Sequence, residues 1–182
     1  MAERPWRTLG SRRIFRSPWV DLREDEVELP GGRRIRHAVV TLATGHSVGV
    51  LPLLAAGEVV LVRQYRYVQD GWYWEAPSGA PRPGEALEAA AQRELREEAG
   101  YRAGRLLPLT AFHTSKSVCR ETAHLMLGLD LVPDPLPADP TEDIEVAAFP
   151  AAEVLRMVER AEIMDAMTVV AVLSALRAGL LA

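Results

Sequence analysis

Three carboxylates, Glu94, Glu97 and Glu98, crowd a segment rich in Ala, Leu, Glu and Arg that ends at Gly100. Composition and the terminal glycine predict a helix over 86–99. At 3.6 residues per turn, Leu87, Ala90, Ala91, Glu94, Leu95 and Glu98 form one continuous stripe. Glu94 and Glu98 therefore occupy positions that belong to core residues, and Glu97 lies within one turn of both. Like charges four apart repel by a few tenths of a kcal/mol even in solvent, and partial burial is far costlier unless a cation compensates. One reading is a solvated charged helix, with Arg93 and Glu97 at salt-bridge spacing. The other is a metal site, and the stripe position favours it. Carboxylate oxygens with no Cys or His nearby suit Mg²⁺ or Mn²⁺ rather than zinc. Such an ion neutralises phosphate oxygens and acidifies a bound water, which is what hydrolysis of a pyrophosphate requires.

The elements that must position these residues are legible in outline. Segment 77–84 is a loop, because Pro77, Pro81 and Pro83 stiffen it while Gly79 and Gly84 let backbone approach a ligand. Without the glutamates it would read as a plain strand-to-helix connector. Upstream, alternating apolar residues predict strands at 20–29 and 33–42, joined through Pro30, Gly31 and Gly32 as a hairpin. Nearly continuous apolar runs at 48–54 and 59–65 predict central strands, followed by a short aromatic strand at 72–74. Downstream come strands at 106–112 and 121–131, a Pro/Asp loop at 133–140 and a strand at 144–149. Helices at 151–160 and 166–178 follow, the last capped by Asp165. A mixed sheet with helices packed on it is the architecture this order predicts.

The bulk numbers narrow the function classes. The 182 residues are 48% hydrophobic and 25% charged, enough for one globular domain with an N-terminal extension. A net charge of −4 with scattered basic residues lacks the concentrated positive field of a nucleic-acid binder. The single cysteine, Cys119, excludes an intramolecular disulfide and a Cys-rich zinc site, as expected of a cytoplasmic protein. No run reaches the roughly 18 apolar residues of a membrane span. A soluble, cytoplasmic protein without nucleic-acid or membrane partners is expected.

Residues 79–101, GAPRPGEALEAAAQRELREEAGY, resemble the signature box of the Nudix hydrolases. That pattern is Gly, five residues, Glu, seven residues, Arg-Glu-apolar-any-Glu-Glu-any-Gly-apolar. Gly79, Glu85, Arg93, Glu94, Leu95, Glu97, Glu98 and Gly100 match, and Tyr101 departs as an aromatic where an aliphatic is usual. The resemblance implies an α/β/α sandwich with a mixed β-sheet and an N-terminal antiparallel strand extension. It places metal ligands at Glu94 and Glu98, with Glu97 and the Ser78 carbonyl joining them, for Mg²⁺ or a substituting Mn²⁺. Arg93 would orient a glutamate, and Glu85 would support the loop or a further metal. The chemistry implied is attack of water on one phosphorus of a nucleoside diphosphate linked to another group.

Outside the box, the chain is similar to the branch acting on ADP-ribose and nucleotide sugars. Arg63-Gln64-Tyr65-Arg66 resembles its VxQYR strand, whose last arginine would contact substrate phosphate. Trp74-Glu75-Ala76-Pro77-Ser78-Gly79 resembles its WExPAG entry, and Glu162-Ile163-Met164-Asp165-Ala166 its GEIxDA turn. Arg63, Arg66, Glu75 and Lys116 are the expected substrate contacts, with Arg120 as an alternative to Lys116. Where many ADP-ribose enzymes carry Ser-Pro-Gly, Thr114-Ser115-Lys116-Ser117-Val118 stands here, similar to enzymes acting on other nucleotide sugars such as GDP-mannose. The base that activates water falls on Glu142, with Asp139, Asp143 and the box glutamate Glu97 as alternatives. In this branch the N-terminal strands cross to a partner, so residues 1–42 are expected to be exchanged in a homodimer around a hydrolase domain at 43–182. Trp6, Trp19, Trp72 and Trp74 could stack on a nucleobase or simply pack, and Cys119 and His113 receive no role. A non-catalytic nucleotide sensor would have lost box glutamates. A housecleaning triphosphate pyrophosphohydrolase would lack the sugar-branch strand.

Overall fold

The computed structural model describes residues 5–137, 141 and 143–181. The chain divides into two compact units, Met1–His46 with His113–Thr122, and Ser47–Phe112 with Ala123–Ala182.

In the first unit, β1 (Arg7–Arg16) pairs antiparallel with β2 (Val20–Glu28), and β2 with the leading half of β3 (Arg34–Pro52). The β2–β3 turn is the expected hairpin: Gly31 and Gly32 take φ of 88° and 83°, a region closed to most side chains. Strand β1 is absent from the sequence-based expectation. All but one of its residues are exposed, so it carries no alternating apolar signal. Cross-strand charges line it instead: Arg7 with Glu28 at 2.9 Å, Arg12 with Glu24 at 3.4 Å and Arg13 with Asp21 at 3.2 Å. Asp25 is buried beneath them. A hydrogen bond from Ser11, opposed by burial and aided by Arg23, holds its carboxyl below the usual range.

Strand β3 runs unbroken through 43–47, where two separate strands are expected. Ala43 and Gly45 adopt positive φ, 39° and 78°, so the polar stretch takes irregular backbone without ending the strand.

The second unit holds the trailing half of β3, then β4 (Glu58–Arg66), β5 (Gly71–Glu75), the two-residue β6 (Ser78–Gly79) and α1 (Leu87–Glu98). After these come β7 (Tyr101–His113), β8 (Cys119–Pro133), β9 (Glu145–Pro150), α2 (Ala151–Glu159) and α3 (Ala166–Arg177), with the ends of β7 and β8 lying in the first unit. Strand β3 pairs with β6 and β8, and β8 with β7; a second sheet has the order β5-β4-β9. Successive side chains of a strand face opposite ways, which sorts the core into two layers. Val48, Val50, Val60 and Val62 face Ala90, Ala91 and Leu95 of α1. Leu51, Val59, Leu61 and Leu127 face Val154 and Met157 of α2 and Ala171, Val172 and Ala175 of α3. Helices thus cover both faces, and the mixed α/β sandwich expected from the sequence is the fold observed. Each fully buried Leu or Val contributes on the order of 2 kcal/mol, so the sheets form a stiff base for the loops.

Candidate active site

Helix α1 carries the expected stripe from core to acid. Ala90, Ala91 and Leu95 are fully buried, and Glu98 is 7% exposed. The Glu94 side chain is 12% exposed and that of Glu97 22%. Gly100, with φ 75°, ends the helix in the left-handed conformation. Gln92 locks it to β7 by exchanging two hydrogen bonds with the Ala103 backbone, at 2.7 and 3.1 Å.

Arg93 is the hub of the acidic edge. Its guanidinium donates to both oxygens of Glu85 at 3.0 Å, to Glu94 at 2.7 Å, to Glu97 at 2.9 Å and to the Ala80 carbonyl at 3.1 Å. The bonds to Glu85, then to Glu97 and Glu94, drive the Arg93 pKa far above its ordinary value against the opposing effect of burial. The same pairing with Arg93 holds the Glu85 carboxyl low, helped by the Arg82 backbone N–H. Arg82 adds a second cation at 3.3 Å from Glu97. Glu98 takes a separate partner, the backbone N–H of Ser78 at 2.9 Å. A Cβ at Gly79 would overlap the Glu94 carboxylate, so a side chain there would displace Glu94 from its present position.

Box carboxylates Glu94, Glu97 and Glu98 are brought onto one edge but, among the described residues, no three acidic, His or Cys side chains converge as a ready coordination shell. Glu94 and Glu97 turn oxygens to Arg93 instead. The chemistry of the donor set still fits a hard divalent cation. Four carboxylates, those of Glu85, Glu94, Glu97 and Glu98, outnumber the two guanidiniums bonded among them, and all donors are oxygens.

A cavity of about 370 Å³ adjoins Ser78, with Arg66, Tyr73, Glu75 and Asp165 in its walls. Arg66 pairs through two nitrogens with the buried Glu75, and its Nε lies 3.0 and 3.1 Å from the two carboxylate oxygens. That bond raises the Arg66 pKa, burial opposes it, and the charges of Glu75, Glu98 and Asp165 add to the rise. Arg66 is, like any arginine, a permanent cation; Glu75 takes its Nε–Nη2 edge, which orients the guanidinium and leaves Nη1 for an oxyanion.

The remaining expected site residues are distributed otherwise. Arg63 alternates to the other face of β4, where it stacks on Trp72 and Trp74 at 5.7 and 6.0 Å and meets Glu145 at 3.3 Å. It does not share the cavity with Arg66. Trp74 also packs edge-on against Phe149 at 4.9 Å. Lys116 lines a groove with His46, His113, Cys119 and Arg120, all in the first unit. Glu142 and Asp139 lie outside the described residues, while Asp143 is exposed. Sequence reasoning missed the cavity's Gln69 and Tyr73, which sit on a turn and a short strand with no motif. It also missed Thr168, signalled only by its spacing from the helix cap Asp165.

Comparison with known proteins gives the family. Residues 43–167 match the NUDIX domain, and residues 6–40 match the nucleoside diphosphate sugar hydrolase N-terminal domain. The chain is 33% identical over 168 residues to the ADP-ribose pyrophosphatase of Bacillus subtilis (strain 168), covering 91% of this chain and 90% of that one. It is 31% identical over 180 residues to the ADP-ribose pyrophosphatase of Mycobacterium tuberculosis, covering 96% and 84%. A crystal structure of an ADP compounds hydrolase shares the fold with a TM-score of 0.87 at 22% identity, covering 97% of this chain and 95% of that one. No helix among the described residues is long and apolar enough to cross a membrane. The intact box on α1, the sandwich that presents it and the match over 43–167 together establish that the chain belongs to the Nudix hydrolase family.

Proposed function

We propose that the protein hydrolyses the pyrophosphate bond of a nucleoside diphosphate sugar, ADP-ribose or a related compound such as GDP-mannose, to a nucleoside monophosphate and a sugar phosphate. One observation carries this reading. The segment Glu75-Ala76-Pro77-Ser78 joins the guanidinium of Arg66, held by Glu75, to the acidic edge of α1, reached by Ser78 through Glu98. A phosphate-binding cation and an oxygen-donor set for a divalent cation are thereby coupled through one short piece of backbone. The two pyrophosphatase relatives support the same chemistry.

Glu94, Glu97 and Glu98, with the Ser78 carbonyl, are assigned to hold Mg²⁺, for which Mn²⁺ substitutes. When bound, such an ion neutralises phosphate oxygens and lowers the pKa of water. Arg93 holds Glu94 and Glu97 on the edge of α1, from which their oxygens would turn toward the ion, and Arg66, oriented by Glu75, binds the phosphate. Arg63, on its tryptophan platform, is assigned to substrate binding, and Lys116 to a phosphate or the sugar. Glu142 is assigned as the base that takes the proton of the attacking water. Glu142→Gln should lower kcat by about 10²-fold or more with KM within a few-fold, since the base acts in the transition state. A loss below tenfold would move the role to Glu97 or Asp143.

A homodimer with residues 1–42 crossing to the partner completes the proposal. Ile14, Phe15 and Trp19 on and beside β1 are 48%, 55% and 75% exposed, apolar side chains that a partner would cover. The lone Cys119, free as a thiol, supports action in the cytoplasm. Sedimentation should give about twice the chain mass of 20.0 kDa. The sedimenting species, offered nucleotide sugars, dinucleotides and triphosphates with Mg²⁺, should prefer a nucleotide sugar. An active monomer would refute the dimer, and preference for triphosphates would refute the substrate class.

A further inference from the structure

Thr168 is fully buried on the first turn of α3, and its hydroxyl is used twice. The hydroxyl donates to Asp165 Oδ2 at 2.6 Å, and the same oxygen accepts the Thr168 N–H at 2.7 Å. A hydroxyl has one proton. With that proton committed to Asp165, the Thr168 oxygen is left as an acceptor, and it takes the backbone N–H of Ala76 at 2.8 Å. Ala76 is itself buried, 3% exposed, so no water replaces this partner. On the other side of the segment, the Pro77 carbonyl accepts the Val50 N–H at 2.9 Å. The short strap from Glu75 to Ser78 is thus held by α3 at one residue and by β3 at the next.

The ends of the strap carry the site. Glu75 grips Arg66, and the Ser78 N–H grips Glu98. Pro77 between them has a fixed φ, which removes one of the few backbone rotations that could absorb a shift at Ala76 before it reaches Ser78.

We propose that Thr168, oriented by Asp165, is a positioning residue of the active site, setting through Ala76 where the Ser78 N–H holds Glu98 for the metal. This rests on the proposed role of Glu98 in holding the divalent cation. Threonine is the residue that does both jobs here: valine fills the same space but neither donates nor accepts, while serine keeps the hydroxyl.

The test is Mn²⁺ binding followed by electron paramagnetic resonance on the full chain, for wild type, Thr168→Val, Thr168→Ser and Glu98→Gln. Outer partners of metal ligands typically contribute 10 to 100-fold in affinity, so Thr168→Val should bind Mn²⁺ about tenfold more weakly, with Thr168→Ser within about twofold of wild type. In hydrolysis, the Mg²⁺ concentration for half-maximal rate should rise by the same factor in Thr168→Val. At saturating Mg²⁺ its kcat should return to within about threefold of wild type, a recovery that general loosening of the fold would not give. If Thr168→Val does not fold, Thr168→Cys replaces it, since a thiol fills the space and bonds weakly, with about threefold weaker binding expected. Wild-type Mn²⁺ affinity in a folded Thr168→Val or Thr168→Cys variant overturns the positioning role. A wild type that binds no Mn²⁺, or a Glu98→Gln variant that binds it equally well, overturns the metal assignment and the inference with it.

Discussion

Glu98→Gln should lower kcat by about 10³-fold, the upper range for removing one group that stabilises charge in a transition state, with no loss of thermal stability. Shape is preserved, because the amide oxygen can still accept the Ser78 N–H that Glu98 takes at 2.9 Å. Charge is what disappears. Glu98 is 7% exposed beside Glu94 on the same stripe, and a buried carboxylate near others of its sign is unfavourable for folding. Its replacement should therefore leave the melting temperature unchanged or higher while metal affinity falls. Opposite signs for stability and activity distinguish a metal ligand from a structural residue, whose loss lowers both. Steady-state kinetics over a Mg²⁺ series and thermal melting of both proteins make the comparison. A wild-type rate in the variant would remove Glu98 from the mechanism.

Arg93→Gln should produce the largest loss of stability. The guanidinium is bonded to Glu85, Glu94 and Glu97 with 12% of its side chain exposed. Removing one partner of such a network leaves the others close together without their cation. A fully buried pair broken this way costs 3–5 kcal/mol; partial access of solvent to Glu97 reduces this to about 2 kcal/mol. For a chain of this size that is a melting temperature about 4–8 °C lower. The pH dependence has a definite sign. Arg93 depresses the Glu85 carboxyl below its ordinary 4.5, so its stabilising contribution is complete above that pH and is lost as pH falls toward the folded-state value. The gap between wild type and Arg93→Gln should therefore be widest near neutrality and narrow in acid below about pH 4.5. Added Mg²⁺ should narrow the gap at neutral pH by supplying the missing positive charge. Melting across a pH series with and without Mg²⁺ tests both statements. A gap independent of pH and metal would contradict the network's role.

What could be read in the sequence follows from how each feature is encoded. Helix α1, its acidic stripe and the Arg93–Glu97 pair are local, set by residues three and four apart, and they lie as spacing predicts. Strands such as 48–54 and 59–65 announce themselves by apolar content that the core then buries. Strand β1 does not, because its partner strand supplies charges rather than an apolar face, and β3 looks broken because the polar residues around Gly45 resemble a turn. At the site, strand alternation alone separates Arg63 from Arg66, yet motif resemblance grouped them. The link from Thr168 to Ala76 spans 92 positions, and only folding brings the two together.

The central claim is cleavage between the two phosphates, and hydrolysis in ¹⁸O-labelled water tests it most directly. With ADP-ribose or another nucleotide sugar and Mg²⁺, the products should be a nucleoside monophosphate and a sugar phosphate, with one ¹⁸O atom incorporated into one of them from the attacking water. The same products should be absent, or formed about 10³-fold more slowly, with Glu98→Gln. Release of free sugar together with an intact nucleoside diphosphate, or label in neither phosphate, would contradict the account.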